Sequence, residues 1–144
     1  KFNSEAEKEA VIKDLQLNMN EEFRATLQYI CHRISARDRD PVLADSFKSA
    51  ALDEMAHILF FSDLISKFGG TPTFCDWDVD KSLDLKSMLE KDVSLEKSAQ
   101  MRYLGQLERL QDYPELVSII TAVLNDEEDH EAEFARYLEN LSTQ

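Results

Sequence analysis

Glycine and proline are scarce in this chain, with three of each in 144 residues. A β-sandwich needs a turn about every 8–12 residues, so the scarcity excludes that class and favours long helices. Cysteine is limited to Cys31 and Cys75, which form no CxxC motif. That excludes a disulfide framework and a four-thiolate metal site, and it fits a reducing cytoplasm. No apolar run approaches the ~18 residues of a membrane span. The opening KFNSEAEKEA is not a signal peptide, so a cytoplasmic location is expected. A basic face is also missing. The formal net charge is −13, and nucleic acid is therefore not an expected partner. The acidity serves solubility, or else some carboxylates gather cations; composition does not separate the two.

What is present suits one domain over residues 1–144, with 43% apolar and 31% charged residues. Four helical segments are predicted. The first runs from Ser4 to Ala36, opened by Ser4 and Glu7 in a capping-box arrangement. Its stripe is Ile12, Leu15, Met19, Phe23, Thr26, Tyr29 and Ile30. The second runs from Pro41, behind an Asp40 cap, to Phe68, where Gly69 and Gly70 end it. Its stripe is Phe47, Ala50, Ala51, Ile58, Phe61, Leu64, Ile65 and Phe68, and Glu54 and His57 fall inside it. GGTPTFCDWDVDKS follows with no period, long enough to cross a bundle from end to end. The third segment spans Leu83 to Leu110, with Glu96 on its apolar face. The fourth runs from Pro114, behind a cap at Asp112, to Leu141. Its stripe is Val117, Ile120, Leu124, Phe134 and Leu138, with Glu127 and His130 among them. Short, long and short links predict an all-α, antiparallel four-helix bundle with a crossover between helices 2 and 3.

The motif DExxH occurs twice, at Asp53–His57 and Asp126–His130. Residues i and i+3 share a helix face, so each Glu-x-x-His aims a carboxylate and an imidazole at one point. Glu22 precedes Glu54 by 32 residues and Glu96 precedes Glu127 by 31. Tyr29 and Tyr103 each follow their glutamate by seven, nearly two turns. The chain reads as one hairpin written twice. Four inward glutamates without matching inward cations would repel one another or neutralise. Two divalent metals balance them, with one histidine nitrogen each. Carboxylate and imidazole without thiolate suit iron or manganese; zinc also fits but does no redox chemistry. Asp53 and Asp126 either bond the second nitrogen of a ligand histidine or are solvated.

These residues carry a resemblance to the ferritin-like di-iron carboxylate superfamily, in its bacterioferritin and rubrerythrin branch. NEEFRATLQYICH resembles the first-helix stretch of bacterioferritins, DEMAH the second-helix ligand motif, KDVSLEKS the segment with the third-helix glutamate, and NDEEDH the last ligand pair. The resemblance implies that Glu54 and Glu127 bridge two iron ions, that Glu22 and His57 hold one, and that Glu96 and His130 hold the other. It implies a ferroxidase that oxidises Fe(II) with O2 or H2O2 for iron storage or detoxification. The alternative is a rubrerythrin-like peroxidase drawing on an external electron donor. Tyr29 and Tyr103 would bond the ligand carboxylates or supply an electron; their other reading is aromatic core. Met55 stands where bacterioferritins place a haem-binding methionine, and a surface or subunit-contact methionine is the favoured reading. A homo-oligomer, at least a dimer, is implied. Two features depart from the relatives. Ala99 replaces the extra glutamate of rubrerythrins, and the sequence ends fourteen residues after His130 without the short fifth helix of many cage-forming ferritins. His32 is expected to be structural and Trp77 to pack over the bundle. A third reading, outside the resemblance, is a helical interaction module with surface glutamates.

Overall fold

The computed structural model describes residues 2–142. It contains α1 (Glu5–Ala36), α2 (Pro41–Lys67), α3 (Leu85–Arg109) and α4 (Pro114–Ser142). Each helix begins where local chemistry permits. Ser4 Oγ accepts the Glu7 N–H at 3.1 Å, and Glu7 reaches back to the Asn3 N–H. Asp40 accepts the Leu43 N–H at 3.1 Å ahead of Pro41. Asp84 caps α3 through the Ser87 N–H, two residues later than the apolar pattern places its start. Tyr113, not Asp112, stands just before α4, and its carbonyl accepts the Val117 N–H. Gly69 adopts φ +90°, the left-handed conformation that closes α2.

Cross-helix pairs set the helix directions. Residues 29 and 32 of α1 face 96 and 92 of α3, while 18 faces 106, so these helices are antiparallel. Helices α2 and α4 are antiparallel too, with 53 opposite 130 and 67 opposite 115. The order is up, down, down, up, and the crossover must travel the length of the bundle.

A polar rail on α1 guides it. Gln16, Asn20, Arg24, Gln28 and His32 recur every four residues, one row of a helix. Gln16 bonds Thr71 O at 2.7 Å and the Thr73 N–H at 3.1 Å. Asn20 bonds Thr73 O and the Cys75 N–H, and its own carbonyl accepts the Trp77 indole N–H at 2.9 Å. Arg24 lies over the Trp77 ring. Gln28 takes both backbone groups of Asp80, at 2.8 and 2.9 Å. Side-chain amides thus satisfy an extended backbone as a neighbouring strand would.

The apolar core lies in two clusters. One gathers Leu15, Met19, Phe61, Ile65, Tyr103 and Ile120. The other gathers Tyr29, Leu43, Phe47, Leu89 and Phe134. Ile30, expected inward, is 44% exposed. On α4, Leu116 and Val123 are buried where the stripe named Val117.

Candidate metal centre

Between the two clusters the core turns polar. Glu22, Glu54, His57, Glu96, Glu127 and His130 are all buried. Their ligand-capable atoms form two overlapping groups, each within 4.8 Å: Glu22, Glu54, His57 and Glu127, and Glu54, Glu96, Glu127 and His130. Glu54 and Glu127 belong to both. Each helix contributes through residues one turn apart or through a single glutamate, so the bundle alone assembles the set.

The histidines are held from outside. His57 Nε2 lies 2.7 Å from Asp126 Oδ2, and His130 Nε2 lies 2.8 Å from Asp53 Oδ2. Each aspartate therefore serves the histidine of the other hairpin. That contact fixes the ring and leaves Nδ1 turned inward. His57 Nδ1 meets Glu22 and lies 3.2 Å from Glu54. His130 Nδ1 lies 3.3 Å from Glu127 and 3.5 Å from both Glu54 and Glu96. Asp53 and Asp126 remain about half exposed.

Donors are too few inside. Both carboxylate oxygens of Glu54 and of Glu127, Glu96 Oε2 and His130 Nδ1 are buried without hydrogen-bond partners. Unpaired buried carboxylates cost several kcal/mol or take up protons. Accordingly burial, then the neighbouring charge of Glu127, pushes Glu22 up to about 7. Burial and then Glu22 and Glu127 push Glu54 well above the usual carboxylate range. Burial alone would push the histidines down. The bond to Glu22 outweighs it at His57, held at about 9, and the nearby carboxylates of Glu127 and Glu96 outweigh it at His130, held at about 11. A donor set of four carboxylates and two imidazoles with orphaned oxygens is chemically suited to two hard or borderline divalent cations.

The chain matches the family described as the ferritin-like domain over residues 12–143. It belongs to the ferritin-like family. Among solved structures, this ferritin-like chain is similar to a ferritin-like, diiron-carboxylate protein from Bacillus anthracis str. Ames. The identity is 28% and the TM-score 0.82, covering 91% of this chain and 96% of that one. It is also similar to the Desulfovibrio desulfuricans bacterioferritin, whose diiron site was solved in different catalytic states. There the identity is 24% and the TM-score 0.91, covering 99% and 86%. A Mycobacterium tuberculosis bacterioferritin shares 20% identity at TM-score 0.83, covering 93% and 87%. The last two likenesses speak to fold. No curated protein matches the chain.

The structure separates the two tyrosines of this ferritin-like chain. Tyr29 donates to Glu96 Oε1. The Tyr103 hydroxyl is buried without a partner, and the Arg102 guanidinium lies 4.6 Å over its ring. Met55 lies away from this set, 48% exposed, beside apolar hollows lined by Phe23, Ile58, Phe74, Leu52 and Ile30. A cavity of about 150 Å3 reaches the glutamates from the α1–α3 side, with Arg24, Lys91, Ala99 and Arg102 in its wall.

Two polar pairs flank the centre, and of their four residues only His32 was singled out from the sequence, as structural. His32 Nδ1 lies 2.6 Å from Asp92 Oδ2. Asn18 and Gln106 exchange two amide bonds at 2.7 Å, and Arg102 Nε adds a third to Asn18. The duplication contains the signal. Asn18 and Asp92 each precede their glutamate, 22 or 96, by four residues, and His32 and Gln106 each follow it by ten.

Proposed function

We propose that the chain is a di-iron ferroxidase-type protein that oxidises Fe(II) with O2 or H2O2 for iron storage or detoxification in the cytoplasm. The orphaned oxygens of Glu54 and Glu127, shared by two ligand groups, carry this reading. Glu54 and Glu127 would bridge two ions, with Glu22 and His57 on one and Glu96 and His130 on the other. Two ferrous ions held there would supply one electron each, enough to take O2 to H2O2, or H2O2 to two waters, with two protons taken up. The four glutamates neutralise the incoming charge, and the surrounding core excludes bulk water. Asp53 and Asp126 take Nε2 of each histidine and leave Nδ1 turned toward the glutamates, where it would meet a metal. Tyr29 holds one glutamate in place and would be a source of a further electron; Tyr103 lacks that bond.

The exposed Leu52, Met55 and Leu59 on α2 support a homo-oligomer with Met55 as a subunit contact. A peroxidase with an external electron donor uses the same centre; the relative rates at which H2O2 and O2 reoxidise the reduced protein separate the two. The decisive experiment adds ferrous iron to metal-free protein. The parent binds two ions per chain and oxidises them far faster than buffer does. The Glu54→Ala, Glu127→Ala double variant falls to the buffer rate. Equal rates in parent and variant would sink the assignment.

A further inference from the structure

Two charged atoms near the centre have no hydrogen-bond partner, and they carry opposite sign. Asp92 Oδ1 is fully buried on α3, one turn before Glu96. Arg102 Nη2 is buried on the Asn18 side, beside Tyr103 and within the electrostatic reach of Glu22. Whether Asp92 keeps a net charge depends on His32, and the crossover decides that. The Asp80 backbone N–H can only donate, so Gln28 turns its Oε1 toward it, at 2.8 Å. The Gln28 amide nitrogen must then donate to Asp80 O and to His32 Nε2, the latter at 2.8 Å. His32 Nε2 is therefore an acceptor, and the ring's single proton sits on Nδ1 toward Asp92. In this hydrogen-bond pattern the carboxylate charge stays on Asp92, with Oδ1 unpartnered. Lys91 and Glu21, of the opposite sign to Asp92 and Arg102 respectively, are partly exposed and screened by water; Arg102 is partly exposed too, but its Nη2 is buried.

Resting on the metal-centre reading above, we infer that Asp92 and Arg102 make the two metal positions unequal, so that the Glu96–His130 position fills first and the Glu22–His57 position second. A buried anion one turn from the first attracts a dication. A half-buried arginine whose Nη2 is shut off from solvent stands beside the second and repels one. In a protein interior such full charges change affinity by roughly tenfold or more. Neither residue touches the metal; each acts on the ligand field from behind a glutamate.

The test uses metal-free full-length chain and Co(II) or Zn(II), so that no oxidation intervenes. Calorimetric titration of the parent gives two steps at least roughly tenfold apart. Crystals soaked with one equivalent show the anomalous peak between Glu96 and His130. Asp92→Asn weakens the first step, Arg102→Gln strengthens the second, and Arg102→Lys leaves the gap open. A peak between Glu22 and His57, or equal occupancy of both positions at one equivalent, overturns the inference even if no variant folds. So does a gap that survives both charge-removing variants. If the parent binds no metal at all, the metal-centre reading itself fails, which is a distinct result.

Discussion

The two hairpins repeat each other in their ligands and in the aspartates that brace the histidines, and differ in what backs the glutamates. On one side Tyr29 bonds Glu96 and a histidine faces a buried aspartate; on the other Tyr103 is unpartnered and two amides face each other under an arginine. If the inward set holds two cations, as proposed, its constraint is strict, because charge and geometry must both close around them. The flanking pairs are held more loosely, to giving most of their buried polar atoms partners. His with Asp and Asn with Gln both meet it, so the copies diverged there while the motifs stayed alike.

The sharpest way to expose the difference is to titrate the metal-free protein. A group whose pKa is raised on folding lends stability that is full below its unfolded pKa and disappears as pH rises through the folded value. Glu22, raised from 4.5 to about 7, His57, raised from 6.5 to about 9, and His130, raised from 6.5 to about 11, all act in that direction. Chelator-treated protein therefore loses stability between pH 6 and 9, on the order of a few kcal/mol. Zinc-loaded protein loses much less. In proton-detected titrations of the metal-free form, His57 gives up its proton before His130. Urea midpoints that are flat across this range in the metal-free form would refute the account.

The crossed aspartates allow a smaller test. Asp126→Asn weakens the hold on His57 and Asp53→Asn that on His130. Each lowers metal affinity by roughly 10- to 100-fold, in the step assigned to the histidine of the opposite hairpin. If each variant instead affects the position fed by its own helix, the cross-bracing is not what orients the rings. The smallest effect separates the tyrosines. Tyr29→Phe strips Glu96 of a donor and destabilises the metal-free protein by about 1 kcal/mol or more. Tyr103→Phe removes a hydroxyl that satisfies nothing and is close to neutral. Chemical denaturation of the pair is enough to rank them.

Much of this was legible in the sequence. Helical spacing, Asp40-Pro41 and Gly69-Gly70 marked the elements, and the repeated DExxH with its matched glutamates marked six residues that the fold brings together. Asp53 and Asp126 stayed ambiguous because a half-exposed carboxylate next to a motif looks the same whether or not a histidine on another helix meets it. Asp92, Asn18 and Gln106 were passed over for a related reason. A polar residue reads as solvated until the helix opposite is known, and only then does its partner come into view. Ile30 misled in the other direction: an isoleucine fits a helical stripe, yet here it lines the open Met55 face. The rail from Gln16 to His32 was hidden by its composition, since amides every four residues resemble an ordinary wet surface.

That rail has a consequence for how the molecule comes apart. The hydrogen bonds that pin the crossover run to α1, so the strap belongs mechanically to the first hairpin although it leads into the second. With the strap clipped in place, α3 and α4 form a leaf that joins the strap near Asp84 and packs on the first hairpin through both apolar clusters, the centre and its two flanking pairs. Cations bound at the centre would act as rivets through the middle of that seam. Their removal would loosen one leaf against the other before it disturbed the first hairpin and its strap.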